Sequence, residues 1–314
     1  MQVRPKLNSE AKEIRVIELQ PGNYNDPIVV KSITTSLLDS IPFEPLSYAW
    51  GDPNVTMPIE MDGSTYPVTT NLYSALRNLR KPSEVRLMWV INQRDDEEKS
   101  QQVNLMRDIY ASANTCVVWF GDFLDQGITM IEATATLNTL RKMAEEHPRK
   151  LLVNYEGVNG ERLTAAMSVF MRNEWWKRLW TLQEIVLPPK AVIAWGLLSL
   201  PWEIVSSAAF NRVNTMIPSY QKAADPIMNE SLSVFDSHLT AGVIGIKFLR
   251  EFWQGERSMT PIEVFWRTGA RKSTDPRDKV YSLAGLLSKF FCVETNYSLT
   301  TVQVYCKAVV SIIS

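Results

Sequence analysis

Apolar and charged residues alternate over Ile14–Leu19, which predicts a half-buried strand ended by a turn at Pro21-Gly22. Ile28–Ile33 predicts a second short strand, and Leu46–Trp50 a third that stops at Gly51-Asp52-Pro53. Ile59–Met61 and Thr65–Val68 flank Asp62-Gly63, the dipeptide favoured in a type I′ hairpin turn. A helix follows, with Thr70 or Asn71 as its cap and Leu72, Ala75, Leu76 and Leu79 on its apolar face. Leu87–Ile91 predicts a buried strand. Asp95 to Ala113 predicts a helix with an acidic first turn, where the helix dipole favours negative charge, and an inward stripe of Val103, Met106, Ile109, Tyr110 and Ala113. Cys116–Phe120 is unbroken apolar sequence ending at Gly121, the pattern of a parallel strand covered on both faces.

Strand, helix, strand, helix, strand in that order requires crossover connections, so the expected fold is α/β with a mainly parallel sheet flanked by helices. Residues 122–170 read as helical with a polar break near His147-Pro148. Glu174–Val186 reads as one further helix closed off by Pro188-Pro189, and Ala191–Trp195 as a returning strand. From about residue 200 the pattern is mostly helical, with irregular stretches around 213–232 and a last helix over Thr300–Ile313. The expected organisation is a polar tail over 1–13 and an α/β domain over 14–200 with a helical insertion at about 122–170. A mostly helical C-terminal extension fills 201–314, and its stop within a helix suggests truncation.

Composition narrows the function. Apolar residues are 45% and charged residues 21%, an ordinary globular balance. A net charge of −1 gives no field that would steer the chain to nucleic acid or an anionic membrane, so neither is an expected partner. Cys116, Cys292 and Cys306 are too few and wrongly spaced for a disulfide framework or a zinc site. His147 and His238 alone exclude a multi-histidine metal centre, and no metal ligands are expected. The N-terminus is polar, and no apolar run approaches a membrane span, since Ala241–Leu249 is short and contains Lys247. A reduced, cytoplasmic setting is expected. Neither a P-loop nor a dinucleotide-binding glycine fingerprint occurs, and no cofactor is expected.

Several ordered segments carry a resemblance. They are Pro45-Leu46-Ser47-Tyr48-Ala49-Trp50-Gly51-Asp52, the stretch from Met88-Trp89-Val90 through Ile91-Asn92-Gln93 to Ile109-Tyr110, Val118-Trp119-Phe120-Gly121, and Trp176-Lys177-Arg178-Leu179-Trp180-Thr181-Leu182-Gln183-Glu184. They resemble the fungal heterokaryon-incompatibility (HET) family, and Asp275-Pro276-Arg277-Asp278-Lys279-Val280-Tyr281-Ser282-Leu283-Ala284-Gly285-Leu286 resembles the segment that commonly follows its domain. One departure stands out: Val90 runs directly into Ile91-Asn92-Gln93, four residues short of the family pattern and lacking an acidic residue and a cysteine. The gap falls at the C-terminal end of a central strand, where open α/β sheets bind ligands.

The HET pattern is in turn similar to the TIR domain, a flavodoxin-like fold that in several lineages cleaves nicotinamide from NAD. Carried over residue by residue, that resemblance implies Glu184 as the catalytic carboxylate. It implies Tyr48, Trp50, Asp52, Asn92, Gln93 and Trp180 as residues around a dinucleotide substrate. A carboxylate there would stabilise the oxocarbenium-like charge of a breaking glycosidic bond. The plainer readings stay open: Glu184 as a solvated or salt-bridged residue beside Lys177 and Arg178, the tryptophans as core, Asp52 as a turn residue, Asn92 and Gln93 as helix caps, and Arg277 and Asp278 as ties at a helix start. The family implies self/non-self recognition and programmed cell death. For this chain the resemblance implies either an NAD hydrolase or a non-catalytic module that works through self-association and incompatibility partner proteins.

Overall fold

The computed structural model describes residues 6–91, 96–145, 157–216, 239–287 and 293–313. The predicted alternation is what shapes its sheet. Strand β1 (Glu13–Leu19) turns Ile14 and Val16 into one core cluster and Ile17 and Leu19 into another on the opposite face. It pairs antiparallel with β2 (Val29–Ser36). Strand β3 (Glu44–Tyr48) leads into the hairpin of β4 (Thr56–Met61) and β5 (Ser64–Thr69). Asp62 and Gly63 at its tip have φ of 53° and 75°, as a type I′ turn requires. The Asp62 carboxylate accepts from the Ser32 backbone N–H at 2.8 Å, anchoring the turn to β2.

Helix α1 (Thr70–Leu79) buries Ala75, Leu76 and Leu79. Its cap is Thr69, whose hydroxyl accepts from the Leu72 N–H, one residue before the expected Thr70 or Asn71. Asn71 instead ties two strand ends together, because its amide donates to the Ala49 carbonyl and accepts from the Trp119 indole at 2.9 Å. Strand β6 (Arg86–Trp89), helix α2 (Asp96–Ser112) and strand β7 (Thr115–Trp119) follow as predicted in kind and order.

The region expected to be helical from 122 to 170 begins instead with a loop. The Asp122 carboxylate accepts from the Leu124 N–H at 3.0 Å, and Gly127 takes φ of 75°, both incompatible with a continuing helix. Helices α3 (Met130–Glu145) and α4 (Gly160–Met171) come after it, and His147-Pro148 lies outside the described residues. A short helix α5 (Thr181–Val186) leads to β8 (Lys190–Trp195), which folds back on β9 (Leu198–Pro201). The sequence pattern does not predict β9. The segment is short, and its pairing comes from a turn at Gly196 rather than from its own periodicity. Beyond lie α6 (Trp202–Met216), a π-helical turn at Leu239–Ile244, and helices α7 (Gly245–Trp253), α8 (Pro261–Thr268), α9 (Asp278–Ala284) and α10 (Thr301–Ile313). Most of the irregular stretch expected at 213–232 is outside the described residues.

The nine strands form one sheet in the order β5-β4-β2-β1-β6-β3-β7-β8-β9. Its centre, β6-β3-β7-β8, is parallel, and the crossover argument holds there. The margins are antiparallel at β1–β2, β1–β6, β4–β5 and β8–β9, so the sheet is mixed rather than mainly parallel. Three of these pairs join strands consecutive in the chain, which need no crossover. Chain order reverses at β3, which has β6 on one side and β7 on the other. That is where the loops leaving adjacent strands diverge and open a crevice. One face of the sheet packs against α1, and the other against the helices from α2 onward. Among the described residues no helix is long and apolar enough to cross a membrane.

Gly196 sits at φ 55°, and a Cβ there would lie 2.5 Å from the buried Phe123 ring. Gly196→Ala is therefore expected to destabilise the fold by about 2–4 kcal/mol through backbone strain and overpacking, measured by urea unfolding.

Candidate functional site

The candidate site is built where an expected helix fails to form. Glu174–Val186 is not one helix. It is a 3₁₀ turn (Glu174–Lys177), an extended Arg178 at φ −78° and ψ 141°, and then α5. A distant segment makes the break. Arg178 and Lys272 form an isolated parallel bridge in which Lys272 N–H donates to Lys177 C=O at 2.6 Å and Leu179 N–H to Lys272 C=O at 2.9 Å. The interruption sends Trp175 and Trp176 into the core against Phe120, with ring centroids 5.7 and 5.2 Å away. The carbonyls freed by the break, and those at the far end of α5, are met by two arginines from beyond residue 245. Arg271 donates to Trp176 and Arg178 carbonyls at 2.9 and 3.3 Å, and Arg250 donates to those of Ile185, Pro188 and Pro189. Burial pulls the Arg271 guanidinium down to about 10, still charged at neutral pH.

So held, α5 aims Glu184 at the penultimate residue of β3. The Ser47 hydroxyl donates to the Glu184 carboxylate and accepts from the Trp175 indole at 2.7 Å. All three residues are buried. Burial pushes the Glu184 carboxyl above the usual carboxylate range, with the Arg178 charge and the Ser47 hydrogen bond pulling the other way. Arg178 is fixed in turn: it donates to the Tyr48 carbonyl at 2.6 Å and lies 5.1 Å over the Trp50 ring.

Tyr48, Trp50, Trp180 and Glu184 line one cleft of about 1120 Å³ beyond the C-terminal ends of β3 and β6. That space is ample for a ligand larger than a drug. Four of the residues singled out in the sequence thus share a site. Asp52 does not line it. That residue is exposed, and its carboxylate accepts from the Asn54 backbone and side chain at 2.9 and 3.0 Å, the turn role. Asn92 and Gln93 lie outside the described residues, although Ile91 just before them lines the cleft.

Sequence reasoning passed over Ser47 and Arg178 as site residues, and also Lys272–Asp275 and Glu294–Tyr297, which line the same cleft. Asp278, expected to tie a helix start to its neighbour, does so from inside the cleft: it accepts from the Trp180 indole at 3.0 Å and the Tyr297 hydroxyl at 2.7 Å. The signal for Ser47 and Arg178 was their place within the quoted motifs.

A second, smaller cavity of about 240 Å³ lies across Tyr48 and Ile91, between the sheet, α1 and the hairpin. Its lining is mostly apolar, and its one carboxylate, Glu98, is paired with Arg15 at 3.1 Å. The large cleft is therefore the better candidate for chemistry. Cys116 is no nucleophile, since full burial pushes its thiol well up. Among the described residues no group of three or more His, Cys, Asp or Glu is placed to hold a metal ion.

The family model for heterokaryon incompatibility protein (HET) matches residues 43–184, from just before β3 to Glu184 itself. The chain thus carries a match to the HET family over these residues. It is also 27% identical, over 89% of its length, to heterokaryon incompatibility protein 6, OR allele, of Neurospora crassa. The alignment covers 48% of that relative, so the chain spans about half the length of the curated protein it matches. No solved structure matches it significantly. Both ends of the HET match are site-forming: β3 brings Ser47 and Tyr48, and α5 brings Glu184.

Ser47→Ala leaves a buried indole N–H without its acceptor and the Glu184 carboxyl without its donor, and is expected to cost about 2–3 kcal/mol of stability, measured by chemical denaturation. The sign for Glu184 is the reverse. Its folded-state pKa is raised, so folding favours the protonated form, and stability is lost as pH climbs from the unfolded value of about 4.3 through the folded one. Glu184→Gln should therefore raise Tm at neutral pH, with the gain vanishing below about pH 4 in a melting series.

Proposed function

We propose that this chain is a fungal incompatibility effector whose HET domain hydrolyses the nicotinamide–ribose bond of an NAD-type dinucleotide and thereby kills the cell. One observation carries this reading: a carboxyl group buried, oriented by a dedicated hydroxyl, and turned into an aromatic-lined cleft at the sheet's switch point. The parallel strand order β6-β3-β7-β8 supports it, being the 2-1-3-4 order of flavodoxin-like sheets and so in keeping with a TIR-like core.

In the reaction the bond between ribose C1′ and the nicotinamide nitrogen breaks with its electron pair leaving on nicotinamide. Water then adds to C1′ and loses a proton, giving the ribose product. Glu184, as carboxylate, faces the positive charge that develops at C1′. Trp50 and Trp180 offer flat surfaces for the planar rings of the substrate. Self-association and incompatibility partner proteins would bring the site to its active form.

Purified protein at high concentration is expected to release nicotinamide from NAD, and Glu184→Gln to lower the rate by about 100-fold or more. The acid limb of the pH–rate profile should lie above the ordinary glutamate range, because the raised carboxyl must ionise to act. Undiminished release by Glu184→Gln, followed by chromatography, would remove the residue from the mechanism. The four-residue shortening between Val90 and Ile91 favours a second reading, a non-catalytic death-signalling module, because Ile91 lines the cleft. Toxicity that survives Glu184→Gln in cells would select it.

A further inference from the structure

The cleft has a cationic corner that the carboxylate chemistry leaves unused. The bridge between Arg178 and Lys272 brings these two residues to one wall, which Ser273 and Thr274 continue. Arg178 commits one N–H to Tyr48 and its plane to Trp50, which fixes the guanidinium while leaving other donors open. The Lys272 ammonium and the Ser273 and Thr274 hydroxyls have no hydrogen-bond or ion-pair partner among the described residues. Of the carboxylates that line the cleft, Glu294 is exposed and the other three are already answered. Asp275 pairs with Arg277 at 2.6 Å, Asp278 accepts from Trp180 and Tyr297, and Glu184 accepts from Ser47 with its protonated form favoured by burial. One side of the cleft therefore presents two cations and two hydroxyl donors.

We infer that Arg178, Lys272, Ser273 and Thr274 form a subsite for a phosphate or diphosphate group of the ligand. A fork of guanidinium N–H groups beside an ammonium and two hydroxyls matches a multiply charged group with several acceptor oxygens better than a single carboxylate. The inference deepens the dinucleotide reading and rests on it for what the phosphate is attached to. Three of the four residues lie beyond the 43–184 match, so this part of the site comes from the C-terminal region.

The test is calorimetric titration of the full chain carrying Glu184→Gln, which prevents turnover, with ADP-ribose, AMP, adenosine and inorganic pyrophosphate. ADP-ribose is expected to bind at least about tenfold tighter than adenosine, with pyrophosphate competing and affinity falling as salt rises. Adding Lys272→Ala should weaken ADP-ribose by about tenfold and leave adenosine unchanged, and Lys272→Arg should restore most of the loss. Because both bridge hydrogen bonds of Lys272 are main-chain bonds, the alanine variant keeps them. Equal affinity for adenosine and ADP-ribose, no effect of Lys272→Ala, or no binding of any of the four probes overturns the subsite. The two proposals fail separately. Phosphate-dependent binding without nicotinamide release by the unaltered chain sinks the hydrolase and keeps the subsite. Release with an unchanged KM in Lys272→Ala alone does the opposite.

Discussion

Between Trp176 and Pro189 the chain turns carbonyl oxygens inward, away from water, and the guanidinium groups of Arg250 and Arg271 receive them. A buried carbonyl without a donor costs more than an ordinary hydrogen bond contributes, so this segment cannot hold its irregular path unaided. Both arginines come from beyond residue 245, outside the stretch matched by the HET family model. The geometry of Glu184 therefore depends on a region the family definition leaves out. The same region supplies Lys272, whose backbone forces the break at Arg178.

The consequence for chemistry is a carboxyl group whose surroundings are determined on every side. Ser47 fixes its orientation, Trp175 fixes Ser47, and Phe120 packs on Trp175. Such a chain of contacts holds a group in place against a cost, since burial disfavours its charge. Proteins commonly keep a destabilising carboxyl where its raised pKa or its charge is of use. An exposed, solvated glutamate, the plain reading available from sequence, would show none of this.

Much of the fold was legible because its causes are local. Alternation at Ile14–Leu19, the Asp62-Gly63 turn, the stripe from Met106 to Ala113 and the apolar run at Cys116–Phe120 each state their structure within a few residues. What was not legible has long-range causes. The helix predicted over Glu174–Val186 has helical spacing throughout, and only pairing with Lys272, over ninety positions away, stops it. Strand β9 exists because Gly196 folds it onto β8. In the site, Tyr48, Trp50, Trp180 and Glu184 line one cleft, whereas Lys272–Thr274 had no motif to announce them and Asp278, inside a quoted segment, read only as a tie at a helix start.

The strand order carries a practical meaning as well. The family match stops at Glu184, inside α5, whereas β8 follows it and pairs with β7 along Thr115–Trp119. A fragment cut at that boundary would strip β7 of its neighbour and leave Cys116, Val117 and Val118, apolar on both faces, as an open edge. Unpaired apolar edges recruit other strands, so such a fragment would be sticky rather than minimal. The unit recognised in sequence is thus smaller than the unit that can stay dispersed in water.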